Sequence, residues 1–93
     1  MTVGLLRLAV RLPESQSLKE KRWILKSLIT RIRNKFNVSV AEVDTQDSWQ
    51  IATLGVAHVG NERSHTNEVL DLVRNFTEGI RTVELVDSQL EIF

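Results

Sequence analysis

Apolar residues recur at every second position from Val3 to Leu12, and at every third or fourth from Leu18 to Phe36. The first period belongs to a strand and the second to a helix, so the chain must change from one to the other within Pro13–Ser17. Leu6, Leu8, Val10 and Leu12 share one strand face, and Val3, Leu5, Arg7, Ala9 and Arg11 share the other. Pro13 cannot donate to a ladder and closes the strand. Ser17-Leu18-Lys19-Glu20 has the form of a capping box, in which Ser17 accepts from the backbone three residues on and Glu20 reaches back. The spacing predicts a helix to about Phe36, with Leu18, Ile24, Leu25, Leu28, Ile29, Ile32 and Phe36 on one arc, and Asn37 suits its C-terminal turn.

The same change of period then recurs. Val38 to Asp44 is short and β-branched, a second strand. Thr45-Gln46-Asp47-Ser48 is a polar turn, and Trp49 to Val59 is a third strand, in which Gly55 marks a bulge or a close approach. Gly60 to Arg63 is a loop, with Ser64 as N-cap of a second helix over His65–Glu78. That helix is apolar at Val69, Leu72, Val73 and Phe76 and is stopped by Gly79. Thr82 to Phe93 is a last strand, its alternation slipping near Val86 or Asp87 as a bulge would make it. The order β-α-β-β-α-β, with right-handed crossovers, predicts a ferredoxin-like α+β sandwich. Four antiparallel strands would lie in the order 4-1-3-2, with both helices on one face. The 93 residues suffice for a single domain over 1–93 and for one buried core.

Composition removes several classes of function. There is no Cys, so disulfides, thiolate metal sites and a Cys nucleophile are excluded. No apolar run reaches the length of a membrane span, and no signal-peptide core stands out. The four glycines are scattered, without a phosphate loop or dinucleotide fingerprint, and there is no nucleophile elbow. No catalytic residues, cofactor, metal or small-molecule ligand are therefore assigned, and the expectation is a protein that is not an enzyme.

Formal charge is zero, but residues 1–40 hold nine basic residues against Glu14 and Glu20, and residues 41–93 hold three arginines against ten acids. Such a split suggests an anionic partner for the basic half. The competing reading is intramolecular, with the halves neutralising one another on folding. In the first helix Lys19, Arg22, Lys26 and Arg33 form one stripe away from the apolar arc, with Trp23 and Thr30 beside it. Cations along a ridge can dock phosphates by releasing counterions, and an exposed Trp can stack a base or fill a protein pocket. A plain solvated face is the alternative, although Glu20 is the one acid in the whole helix. Lys21 falls in the apolar arc. It is expected to snorkel past Leu18 and Leu25 into solvent, with a buried pairing to Glu42 or Asp44 as the second option.

The sheet face away from the helices is expected to carry Leu5, Arg7, Ala9 and Arg11, with Trp49, Ile51, Thr53 and Ala57 from the third strand. Arginines on an open sheet suit RNA, but the paired Phe or Tyr of RNA-recognition modules is missing. An apolar patch of Leu5, Trp49 and Ile51, joined by Trp23, suits a homodimer instead. His58 and His65 match no metal-ligand spacing, and a packed or capping role is expected of His65. Glu42, Asp44 and Asp47 form an acidic hairpin rim with no nucleophile nearby.

The stretches Ser17-Leu18-Lys19-Glu20-Lys21-Arg22, Leu25-Lys26-Ser27-Leu28, Phe36-Asn37-Val38-Ser39-Val40-Ala41-Glu42-Val43-Asp44, Asp47 with Trp49-Gln50, and Leu54-Gly55-Val56-Ala57 resemble the YlxP-like family, small bacterial proteins classed as a domain of unknown function. The resemblance covers nearly the whole chain and includes Val3-Gly4 and Leu12-Pro13. It implies a ferredoxin-like fold and a cytoplasmic protein with no established activity. The family's genes commonly adjoin those of translation initiation and ribosome-binding factors, which implies association with RNA or the ribosome. The chain departs from the family pattern at Trp23 and Ile51, where Arg is expected, and at Ser48, where Leu is expected. RNA or the ribosome is the expected partner, through Lys19, Arg22, Lys26 and Arg33 with Arg7 and Arg11. A homo-oligomeric interaction module is the alternative.

Overall fold

A computed structural model describes residues 1–93. Its elements are β1 (Thr2–Arg11), α1 (Leu18–Lys35), β2 (Ser39–Glu42), β3 (Ile51–Gly60), α2 (Arg63–Glu78) and β4 (Glu84–Ile92). The strands form one antiparallel sheet in the order β2-β3-β1-β4. This is the expected ferredoxin-like arrangement, the order 4-1-3-2 being the same sheet viewed from its other edge. No helix is long and apolar enough to cross a membrane.

The alternation in β1 sets the layering. Leu6, Leu8, Val10 and Leu12 are buried beneath the helices, each such side chain contributing about 1.5–3 kcal/mol. Their ladder partners on β3, Ala52, Leu54 and Val56, are buried beside them. Leu25, Leu28 and Ile32 of α1, and Leu70 and Val73 of α2, complete the core from above. At the start of α1 the Ser17 cap forms as predicted, Glu20 N donating to Ser17 Oγ at 3.1 Å, while Glu20 reaches back one residue beyond the cap, its Oε2 accepting from Gln16 N at 2.8 Å. The β1–β4 register shifts between Ala9 and Val10, leaving Val86 as the extra residue of the expected bulge.

Several local expectations are corrected. Helix α2 begins at Arg63 with Glu62 as an N-cap that makes no side-chain bond, so Ser64 lies inside the first turn and does not cap it. Leu72 is 49 % exposed, and the inward positions of α2 are Thr66, Leu70, Val73 and Thr77. The two threonines read as polar in the sequence, yet each finds a partner inside: Thr77 Oγ1 donates to Val73 O at 2.9 Å, and Thr66 Oγ1 lies 3.1 Å from His58 Nδ1. Strand β2 ends at Glu42 because Asp44 takes a positive φ of 65°, a left-handed conformation that Asp tolerates and that ends a regular strand. Strand β3 starts at Ile51, leaving Trp49 in the turn before it.

Gly55 makes neither a bulge nor a close approach. It pairs in register with Arg7, and a Cβ there would meet Val43 at an ordinary 3.7 Å. The close approach occurs at Gly4, where a Cβ would lie 2.5 Å from Thr66 Cγ2 and 2.7 Å from Leu70 Cδ1. Leu70 can shift its flexible tip, but Thr66 can turn away only by leaving His58. Gly4→Ala should therefore lower the unfolding free energy by about 2 kcal/mol, read from urea denaturation. A neutral effect would show that α2 is not held down on β1 at this point.

Candidate nucleic-acid interface

The geometry of α1 follows from what happens to Lys21. Its side chain is 1 % exposed and does not snorkel. Nζ lies 2.7 Å from Glu42 Oε2, donates to Thr45 O at 2.6 Å, and donates also to Ser48 O. An ammonium has three donors, and here all three are satisfied away from water. The pairing expected as the second option is thus the one formed, with Glu42 as the partner; Asp44 pairs with Arg7 instead, at 3.3 Å. The turn tightens around the buried charge. Thr45 Oγ1 donates to Glu42 Oε2 at 3.1 Å and accepts from Thr53 N at 2.8 Å. Sequence spacing placed Lys21 on the apolar arc correctly, but two of its acceptors are backbone carbonyls of a distant turn, and side-chain pattern does not reveal those.

With its first turn pinned to the β2–β3 turn, α1 shows one face to the edge of β2 and another to solvent. Six other cations of the helix, Lys19, Arg22, Lys26, Arg31, Arg33 and Lys35, have no carboxylate within ion-pair distance. Five of them divide into two sets, and Lys19 stands at the start of the helix. Arg31 and Lys35 lie over the ring of Phe76, 5.5 and 5.0 Å from its centroid, on the side facing α2. Arg22, Lys26 and Arg33 line an open groove of about 400 Å³ between α1 and β2, with Val40 and Glu42 on the opposite wall. Arg33 donates to Val40 O at 2.7 Å, so part of its hydrogen-bonding capacity is committed while its charge stays uncompensated. Lys19, Arg22 and Lys26 also border a second hollow of about 590 Å³, which adjoins the groove and includes Trp23. The acid in this hollow, Glu20, has Oε2 turned back onto Gln16 N.

Arg7 and Arg11 do not join this ridge. They belong to the outward face of β1, on the opposite side of the sheet from the helices, and both are paired. Arg7 is opposite Gly55, whose missing side chain leaves the path to Asp44 open. Arg11 donates to Glu84 Oε2 through both Nε, at 3.1 Å, and Nη2, at 2.7 Å. The intramolecular neutralisation considered above is therefore real for Arg7, Arg11 and Lys21 and does not extend to the stripe. Trp23, 80 % exposed, is on the helical layer, so it does not share a patch with Leu5 and Ile51 on the open sheet face. Thr53 shares that outward alternation but is buried, tied through its backbone to Val43 and Thr45.

Of the two histidines only His58 is packed inside; His65, of which a packed or capping role was expected, is exposed and caps nothing. His58 is buried against Thr66, and its ring meets that of the exposed His65 edge-on, with centroids 5.7 Å apart. No group of three or more His, Cys, Asp or Glu side chains comes together anywhere in the chain.

Residues 3–90 match the family described as "Protein of unknown function (DUF503)". The chain belongs to that family. It is also similar to "Uncharacterized protein YlxP" of Bacillus subtilis (strain 168), at 40 % identity over 80 residues, covering 86 % of this chain and 87 % of the relative. The expected resemblance to a YlxP-like family of unknown function thus holds; within this chain Lys21 and Glu42 face one another. Breaking a buried pair from one side leaves the other charge uncompensated. Lys21→Met, which strands the Glu42 carboxylate and the Thr45 and Ser48 carbonyls, and Glu42→Gln, which leaves the buried Lys21 ammonium without a counter-charge, should each cost about 3 kcal/mol. Both are read from urea denaturation, and a loss of about 1 kcal/mol or less for either would contradict the geometry of the turn.

Proposed function

We propose that this protein is a small non-enzymatic binding protein that docks RNA, free or within the ribosome, through the α1 face carrying Lys19, Arg22, Lys26 and Arg33. The observation that carries the reading is electrostatic. The chain is neutral in sum and forms ion pairs on its sheet face and within α2, yet this ridge has no paired carboxylate. Like charges along a helix face repel by a few tenths of a kcal/mol per pair, roughly, and a polyanion removes that repulsion while releasing condensed counterions. The groove beside β2 is open, which suits a backbone tracked by its charge with little sequence readout. The proposed interface is the α1 ridge with the groove beside β2; Arg7 and Arg11, paired on the other layer, are left out of it.

Affinity for structured RNA should fall steeply as salt rises, with a log–log slope of several units. Lys26→Glu combined with Arg33→Glu should abolish retention without altering subunit mass. An affinity indifferent to salt would remove this reading.

A second reading rests on the uncovered sheet face, where Leu5, 45 % exposed, lies close to Val59 at one end of the β1–β3 pair and Ile51, 50 % exposed, stands opposite Arg11 at the other. Exposed aliphatic side chains on a broad sheet face suit self-association of the chain as a homodimer. Ile51→Asp should then lower the mass measured by light scattering from dimer to monomer. A wild-type protein that is already monomeric at high concentration rules the dimer out.

A further inference from the structure

Trp23 has no partner within the chain. The other large aromatics of the helical layer are engaged: Phe36 and Phe76 meet edge-on at 5.9 Å, and Lys35 lies over both rings. Trp23 takes part in no aromatic or cation–π pair and is 80 % exposed. It is the one hydrophobic residue lining the hollow it shares with Lys19, Arg22 and Lys26. On the helix it stands between Lys19 and Lys26, four residues after one and three before the other, which places those two cations about 10 Å apart along the axis with the indole between them. Trp23 also borders a further depression formed with Ile24, Ser27 and Thr82. The indole, 80 % exposed, is thus open to a ligand.

We infer that the α1 ridge takes single-stranded RNA in preference to duplex, with one unpaired base stacked on Trp23 and the adjoining phosphates held by Lys19, Arg22 and Lys26. This rests on the RNA reading above and deepens it. A duplex keeps the faces of its bases against one another, and the major groove of A-form RNA is too deep and narrow for side chains to read. An exposed indole gains nothing from such a ligand, whereas an unstacked base offers it a complete face. Stacking of this kind tolerates any base and commonly accompanies a positively charged track for the backbone. The surface has both parts, and they are contiguous. Glu20 borders the same hollow and opposes phosphates close to it, so the strand should run on the Arg22–Lys26 side toward the β2 groove.

The experiment uses the full chain carrying Trp49→Phe, so that tryptophan emission reports Trp23 alone. A short single-stranded oligoadenylate and a duplex RNA of matched length are titrated at low salt, each followed by anisotropy of a labelled strand and by tryptophan emission. The single strand should bind more tightly than the duplex and quench the emission. Trp23→Ala should weaken single-strand binding about ten-fold and leave duplex binding and the salt slope unchanged. Trp23→Phe should restore most of the loss, as a stacking role requires. Single-strand binding that leaves the emission unchanged, or that is the same in Trp23→Ala, overturns the stacking inference while the phosphate-docking reading stands. If neither RNA binds, both fall, and a protein partner for Trp23 takes their place.

Discussion

The Lys21 ammonium holds together the end of the molecule on which the proposed interface depends. A charge taken out of water is stable only if its partners return what hydration supplied. Here one carboxylate and two backbone carbonyls do so, and each comes from the segment Glu42–Ser48. That single group fixes the start of α1 against the β2–β3 turn. Nearby bonds continue the seam: Gln50 Nε2 donates to Ser15 O at 3.0 Å, and Leu12 N donates to Gln50 O at 2.8 Å. Since α1 continues from this anchored turn, its azimuth is set there. The azimuth then decides which cations face β2, which face α2 and which face water.

The same pairing separates the charges of the chain into two populations. Cations on the sheet side meet acids from the C-terminal half and are used up in folding. On the helical side Lys21 and Arg74 are paired, and the six other cations of α1 meet none. The sequence contains equal numbers of acids and bases, so the ridge is not a by-product of a basic composition. It arises because the fold directs Asp44 and Glu84 to the layer that already holds Arg7 and Arg11, and Glu42 to the interior.

Much of this was legible before the fold was seen. The alternation of β1, the capping box at Ser17, the slip near Val86 and the strand order follow from periods and turn chemistry that are local in sequence. What was not legible depends on distant partners. A lysine on an apolar arc reads as one that snorkels, because its acceptors here are the carbonyls of Thr45 and Ser48, which no side-chain pattern announces. Leu72 reads as core, and Thr66 and Thr77 are not picked out as inward positions, because a polar residue satisfied inside does not mark the buried face. Arg7 and Arg11 read as free cations because their acids lie 37 and 73 residues away in the chain. At the candidate interface, the stripe Lys19, Arg22, Lys26 and Arg33 could be placed from helical spacing alone. Its lack of carboxylates could only come from the assembled molecule.

The central claim is that phosphates meet this protein along α1 and the edge of β2, and nowhere on the open sheet. Mapping backbone amide shifts in a nitrogen-15 correlation spectrum during titration with RNA tests it residue by residue. The account predicts shifts concentrated on Lys19–Arg33 and on Val40–Glu42, with Leu5–Arg11 and Ile51 unmoved. Shifts centred on Arg7, Arg11 and Ile51, with α1 silent, would contradict it.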